Sequence, residues 1–136
     1  FGRLLPRQHS GRLRYRAASA IYRGAFLPEA VYEEWVEERR AHYKWEYIKI
    51  LYGLAYGHFD RMQYLECERC LETLLRNDPL DEKAYLLLMR CYKAWGHRVK
   101  AIKTYLQCRD VMKQELGISP AKELTDLYYT LANIGL

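Results

Sequence analysis

The segment CYKAWGHRVKAIKTY, Cys91 to Tyr105, carries a single glycine between two stretches that read as helix. Before Gly96, the apolar residues Leu88, Met89 and Tyr92 fall at helical spacing; after it, Ala101 and Tyr105 do the same. Glycine leaves helical geometry more readily than any other residue that keeps its backbone N–H, so Gly96 divides two helices and reverses the chain. The unit to look for elsewhere is therefore a helical hairpin.

The same hairpin occurs once more upstream, at a constant offset. Leu51 aligns with Tyr85, Leu54 with Leu88, Ala55 with Met89, His58 with Tyr92, Cys67 with Ala101, Leu71 with Tyr105 and Leu74 with Cys108. The reading gives one helix from Tyr43 to Phe59, a break at Asp60 to Gln63, and a second helix from Tyr64 to Arg76, closed by Asn77-Asp78-Pro79. Asp78 ends the unit because the residue before a proline is biased away from helical geometry. Two antiparallel helices approach closely only where one offers a small residue to the other's large one, and Cys67 and Ala101 are those small residues. A period of about 34 residues with this pattern resembles the tetratricopeptide repeat. The fold expected is all-α: a right-handed stack of helical hairpins, about six or seven helices in all, with capping helices at both ends.

Caps are required because two hairpins alone leave apolar faces open above and below. At the C-terminal end Gly117 stops one helix, Ser119 is placed to cap the next and Pro120 to occupy its first position; Leu124, Leu127, Tyr128, Leu131 and Ile134 follow at helical spacing. At the other end Arg12 to Tyr22 reads as a short helix with Leu13, Ala17, Ala20 and Ile21 on one face. Gly24 stops it, Phe26 and Leu27 form a hydrophobic clasp, and Pro28 is preset for the first turn of a long helix running towards His58. Glu29, Glu33 and Glu34 suit the positive end of that helix dipole. The chain is thus read as one domain over residues 1–136: cap and clasp at 1–28, long helix and first repeat at 29–81, second repeat at 82–115, C-terminal cap at 116–136.

Composition agrees. At 136 residues the chain buries roughly 65 to 70 per cent of the surface its unfolded form exposes, enough for a core without disulfides or metal. Eight glycines and four prolines are few, and Leu, Tyr, Glu, Arg, Lys and Ala dominate, as helical proteins require. No apolar run is long enough to span a membrane and no signal-peptide pattern opens the chain, so a cytoplasmic location is expected. Of the 22 basic residues, Arg3, Arg7, Arg12, Arg14 and Arg16 form an arm ahead of the first acid, Glu29; without them the basic residues equal the 17 acidic ones. Such an arm can contact nucleic acid or an acidic surface, but its arginines alternate with Leu4, Leu5, Leu13 and Ile21, as on the solvated flank of a helix. Cys67 and Cys70 are spaced as a Cys-x-x-Cys, yet Cys91 and Cys108 lie 17 apart with no ligand companions. Core packing, not zinc, is the expected role of all four. His9, His42, His58 and His97 stand apart from any nucleophile or acid, and no phosphate loop is present, so neither enzyme activity nor a cofactor is expected.

Two further stretches carry a resemblance. The IYRGAFLP turn, through Tyr22, Arg23, Gly24, Phe26, Leu27 and Pro28, with Trp35 beyond it, is one. The other runs through Leu88, Met89, Arg90, Gly96, Ala101, Tyr105, Glu115, Leu116, Gly117, Pro120 and Leu127. Together they resemble the bacterial transcriptional activator domain of the antibiotic regulatory proteins called SARPs, over nearly the whole chain and including Phe1 to Leu5. The resemblance implies a role in regulating transcription, next to a winged-helix DNA-binding domain that these residues do not contain. The first hairpin turn, HFDRMQY, departs from the family's usual Gly-Asp-like turn.

The leading functional expectation is a protein-interaction and dimerisation module of a transcriptional activator. Its partner would be a second copy, the transcription machinery or its own DNA-binding neighbour. Stacked hairpins present a concave face lined by the first helix of each unit, here offering Tyr47, Tyr52, Tyr56, Tyr85, Tyr92, Lys93 and Trp95. Tyrosine and tryptophan bury large areas at low entropic cost, which suits partner binding. Two alternatives stand beside it: an effector- or peptide-sensing domain, and direct DNA contact through the arginine arm. DNA contact would show as affinity falling steeply with salt.

Overall fold

The computed structural model describes residues 28–133, and the regular structure among them is helical throughout, with no strand. Among the described residues five helices follow one another: α1 (Glu29–Asp60), α2 (Tyr64–Asn77), α3 (Glu82–Ala94), α4 (Arg98–Leu116) and α5 (Lys122–Ala132). The short helix expected at 12–22, the arginine arm, the start of a helix at 1–5 and the clasp residues Tyr22, Arg23, Gly24, Phe26 and Leu27 lie outside the described residues. So does Ile134.

By its internal contacts the chain divides into two compact units, Phe1–Tyr47 and Ile48–Leu136. In the first, α1 begins directly after Pro28, whose carbonyl accepts the Tyr32 amide at 3.1 Å, and Glu29 occupies its first turn. Trp35, Arg39 and Tyr43 then recur four apart along one side of the helix. The Arg39 guanidinium lies 5.2 Å from the Trp35 ring centre and 5.3 Å from that of Tyr43, and donates to the Tyr43 hydroxyl at 2.7 Å. α1 continues without a break at Ala41 to Tyr43; its 32 residues make it about 48 Å long.

The second unit contains the paired hairpins. The correspondence between the repeats is reproduced in burial: Leu51 and Tyr85, Ala55 and Met89, Cys67 and Ala101, Leu71 and Tyr105, and Leu74 and Cys108 are all buried. It fails at two positions. Leu88 is buried while Leu54 is exposed, and Tyr92 is buried while His58 is only partly so. Cys67, Cys91 and Cys108 are free thiols wholly enclosed by the core, and Cys70 is half-buried. Burial, together with the Glu82 carboxylate nearby, pushes the Cys108 thiol up to about 12.

The two hairpin turns are built from the same hydrogen bonds. In the first, the Arg61, Met62 and Gln63 amides donate to the Gly57, Phe59 and His58 carbonyls at 3.2, 3.0 and 2.8 Å. In the second, Trp95, Gly96 and His97 donate to Cys91, Lys93 and Tyr92 at 2.9, 3.1 and 2.7 Å. This is the arrangement in which a left-handed residue ends a helix and its last carbonyls are satisfied by the chain beyond. Gly96 supplies that residue at φ 83° and Met62 at φ 59°. The unusual first turn therefore keeps the geometry of the second, with a methionine where a glycine would be unstrained.

The remaining joints are local too. Asp78 is extended (φ −146°, ψ 94°), as its place before Pro79 requires, and its carboxylate accepts the Leu80 amide at 3.1 Å. Asp81 caps α3 by accepting the Ala84 amide at 3.3 Å. Gly117 ends α4 in the left-handed region at φ 68°. The start of the last helix differs from expectation: α5 begins at Lys122 with Ala121 as its cap residue, neither Ser119 capping it nor Pro120 occupying its first turn. The reason is tertiary. The Ala121 amide donates at 2.6 Å to the Glu82 carboxylate in the first turn of α3, while Pro120 is buried. Among the described residues no helix is long and apolar enough to cross a membrane, and no group of three or more His, Cys, Asp or Glu is placed to hold a metal ion.

Candidate protein-interaction surface

Only the sides of a helix left unpacked can serve a partner, so the register of α1 and α3 determines which residues are available. On α1, Leu51 and Ala55 point into the core. Tyr52 and Tyr56, four apart, lie on an adjoining side, with ring centres 6.3 Å apart and nearly parallel. On α3, Lys83, Leu86, Arg90 and Lys93 follow at helical spacing along the side away from the buried Ala84, Leu88 and Met89. The Lys83 ammonium bridges the two helices, 4.7 Å from the Tyr52 ring centre and 5.9 Å from that of Tyr56. A cation over an aromatic face at such an exposed site is worth about 0.5–1 kcal/mol.

Hydrogen bonds fix this strip further. The Tyr52 hydroxyl donates to the Asp81 carboxylate, the same group that caps α3. Burial first, then that hydrogen bond, pushes the Tyr52 hydroxyl well above the ordinary tyrosine range, so it stays a donor and holds the α3 N-terminus against α1. At the other end Arg90 pairs with Glu123 of α5 at 3.5 Å, both half-exposed. The result is a solvent-facing row, aromatic on α1 and basic on α3. It holds its shape before any partner arrives, and preorganisation of this kind lowers the entropic cost of binding.

The expected lining residues separate into three groups. Tyr52, Tyr56 and Lys93 belong to the strip. Tyr47 is 47% exposed and belongs to the other compact unit, apart from the strip. Tyr85 and Tyr92 are corrections, and Trp95 stands apart from the strip. Tyr85 is 1% exposed and donates its hydroxyl to the Pro79 carbonyl at 2.8 Å; Tyr92 is 7% exposed and donates to the Glu68 carboxylate. Both are packing residues whose polar tips are satisfied internally, which leaves no surface to offer. Trp95, half-buried, packs at the hairpin turn, where its ring centre lies 6.5 Å from Tyr92, 6.2 Å from Tyr64 and 4.6 Å from His97.

Lys83, Leu86 and Arg90 were not anticipated. The signal was present in the period: they lie one repeat after Lys49, Tyr52 and Tyr56, so the strip is one set of register positions used twice. Of the motif residues within the described span, Gly117 ends α4, Pro28 stands just ahead of α1 instead of in its first turn, Trp35 packs beside Arg39, and Pro120 is buried ahead of α5.

A model of the family described as the bacterial transcriptional activator domain matches residues 3–131. No curated protein and no solved structure matches the chain.

Proposed function

The chain belongs to the bacterial transcriptional activator domain family, and from that premise we propose that it is the regulatory, protein-interaction domain of an activator, acting in the cytoplasm beside a DNA-binding domain outside these residues. The family is a transcription-regulator domain and not an enzyme family. The partner is a protein that docks on the strip of Tyr52, Tyr56, Lys83, Leu86, Arg90 and Lys93. The observation that carries this reading is the Lys83 ammonium held over both tyrosine rings, which joins aromatic area to positive charge on the first helices of two successive repeats. Tyrosine and arginine are what interfaces concentrate at their centres, and the lysines add the positive charge that steers an acidic partner to them.

The test is a tethered reporter. The chain is fused to an unrelated sequence-specific DNA-binding domain, and transcription from a promoter carrying its operator is measured. Tyr56→Ser with Lys83→Glu should lower transcription about tenfold, the loss of roughly 1.4 kcal/mol of contact, while the lost contact between Lys83 and the rings lowers the melting temperature by only a few degrees. Transcription unaffected by that pair in a folded protein refutes the reading.

A further inference from the structure

Lys83, Arg90 and Lys93 stand exposed in one row on α3, and the acids around them are bound elsewhere. Asp81 accepts from the Ala84 amide and the Tyr52 hydroxyl, Glu82 accepts from the Ala121 amide at 2.6 Å, and Glu68 accepts from the Tyr92 hydroxyl. Arg90 has the Glu123 carboxylate at 3.5 Å. Among the described residues no carboxylate forms an ion pair with Lys83 or Lys93.

The row therefore has a pattern: its middle cation is already matched within the chain, and its two outer ones are not. Lys83 and Lys93 lie ten residues apart on one helix, about 15 Å along its axis. The half-buried Leu86 stands between them, and the exposed Tyr56 ring lies beside Lys83. The two tyrosine rings hold the Lys83 ammonium in place, so a carboxylate arriving there has no free side chain to immobilise. Complementarity calls for two separated carboxylates with an apolar side chain between them. An extended chain covers that distance in about four or five residues.

A nucleic-acid strand matches the row poorly. Each strand of a duplex carries a negative charge about every 3.4 Å, and in the middle of the row such a series meets the Glu123 carboxylate. A peptide can place an apolar residue there instead.

We propose that the partner of the strip is an acidic protein segment that sets one carboxylate on Lys83, a second on Lys93 and an apolar side chain against Leu86 and Tyr56; this rests on the strip being the docking surface and adds the chemistry of what docks.

Two measurements test it. In the tethered reporter, Lys93→Gln should lower transcription about threefold and Lys93→Glu about tenfold, while Lys93→Arg, which keeps the charge, leaves it unchanged. The second is zero-length carbodiimide coupling of the intact regulator in extracts of the bacteria producing it, which joins an amine only to a carboxylate in direct contact. Peptide mapping then reads the residues joined. The expected product links Lys83 and Lys93 to aspartate or glutamate side chains of one partner segment, survives nuclease and diminishes with Tyr56→Ser. The proposal is overturned if Lys93→Gln has no effect, if no product forms at Lys83 or Lys93, or if nuclease abolishes the complex. Each of those results leaves the reporter loss for Tyr56→Ser with Lys83→Glu in place, so the docking surface can stand while its acidic partner falls.

Discussion

Met62 provides a quantitative probe of the repeat. It occupies the left-handed region at φ 59°, where its counterpart in the next repeat is Gly96 at φ 83°. A residue with a Cβ is about 1–2 kcal/mol worse there than in ordinary helical geometry. Glycine removes that cost but adds about 0.5–1 kcal/mol of backbone entropy to the unfolded chain. The Met62 side chain is 74% exposed, so little apolar burial is lost by deleting it. Met62→Gly should therefore stabilise by about 0.7 kcal/mol, a rise of about 2–3 °C in melting temperature for a domain of this size. Gly96→Ala, in the matching turn, should shift it the other way: a Cβ there meets nothing within 4 Å, so strain alone and no clash acts. Thermal and urea denaturation followed by circular dichroism at neutral pH measure both. The reasoning is refuted if Met62→Gly is neutral or destabilising, or if Gly96→Ala costs nothing.

Three further outcomes follow from the packing and the titrating groups. Leu71 is completely enclosed, so Leu71→Ala should cost about 3 kcal/mol in urea denaturation, by lost burial and the cavity it leaves. Asp81 both caps α3 and accepts from Tyr52; Asp81→Ala should cost about 1–2 kcal/mol, more than Asp81→Asn, which keeps a capping oxygen. Stability should also fall in alkali. Cys108 is pushed up to about 12, and the Tyr52 and Tyr92 hydroxyls are pushed above the ordinary tyrosine range by burial and by their bonds to Asp81 and Glu68. The folded state thus keeps protons that the unfolded chain releases, so this contribution is complete below about pH 9 and is lost as pH climbs past it. Melting temperatures measured from pH 8 to 11 should decline, with tyrosinate absorbance rising cooperatively at unfolding; a flat profile contradicts the assignment.

Much of the fold was legible because its signals are local. Gly96, Gly117 and Asp78-Pro79 mark chain reversals through backbone geometry alone, and the matching places of Cys67 and Ala101 in the two repeats mark where helices come closest. What sequence could not show was set by residues far along the chain. Methionine does not advertise a left-handed turn; Met62 is held there by the Gln63 amide bonding back to His58. Pro120 looked like a helix start until Glu82, from another helix, took the Ala121 amide. Tyrosine is ambiguous by chemistry: Tyr85 and Tyr92 are buried because Pro79 and Glu68 satisfy their hydroxyls, while Tyr56, alike in type and spacing, stays exposed. The basic half of the strip, Lys83 and Arg90, went unseen because a lysine and an arginine on a helix face are ordinarily just solvated.

The most direct measurement of the central claim is site-specific photo-crosslinking in bacteria producing the intact regulator, with a photoreactive phenylalanine analogue placed at Tyr56 or, on the exposed side of α4, at Arg109. The account predicts a discrete protein adduct from position 56 that disappears when Lys83→Glu is added, and none from position 109. The same adduct from both positions, or one at 56 that ignores Lys83, would contradict it.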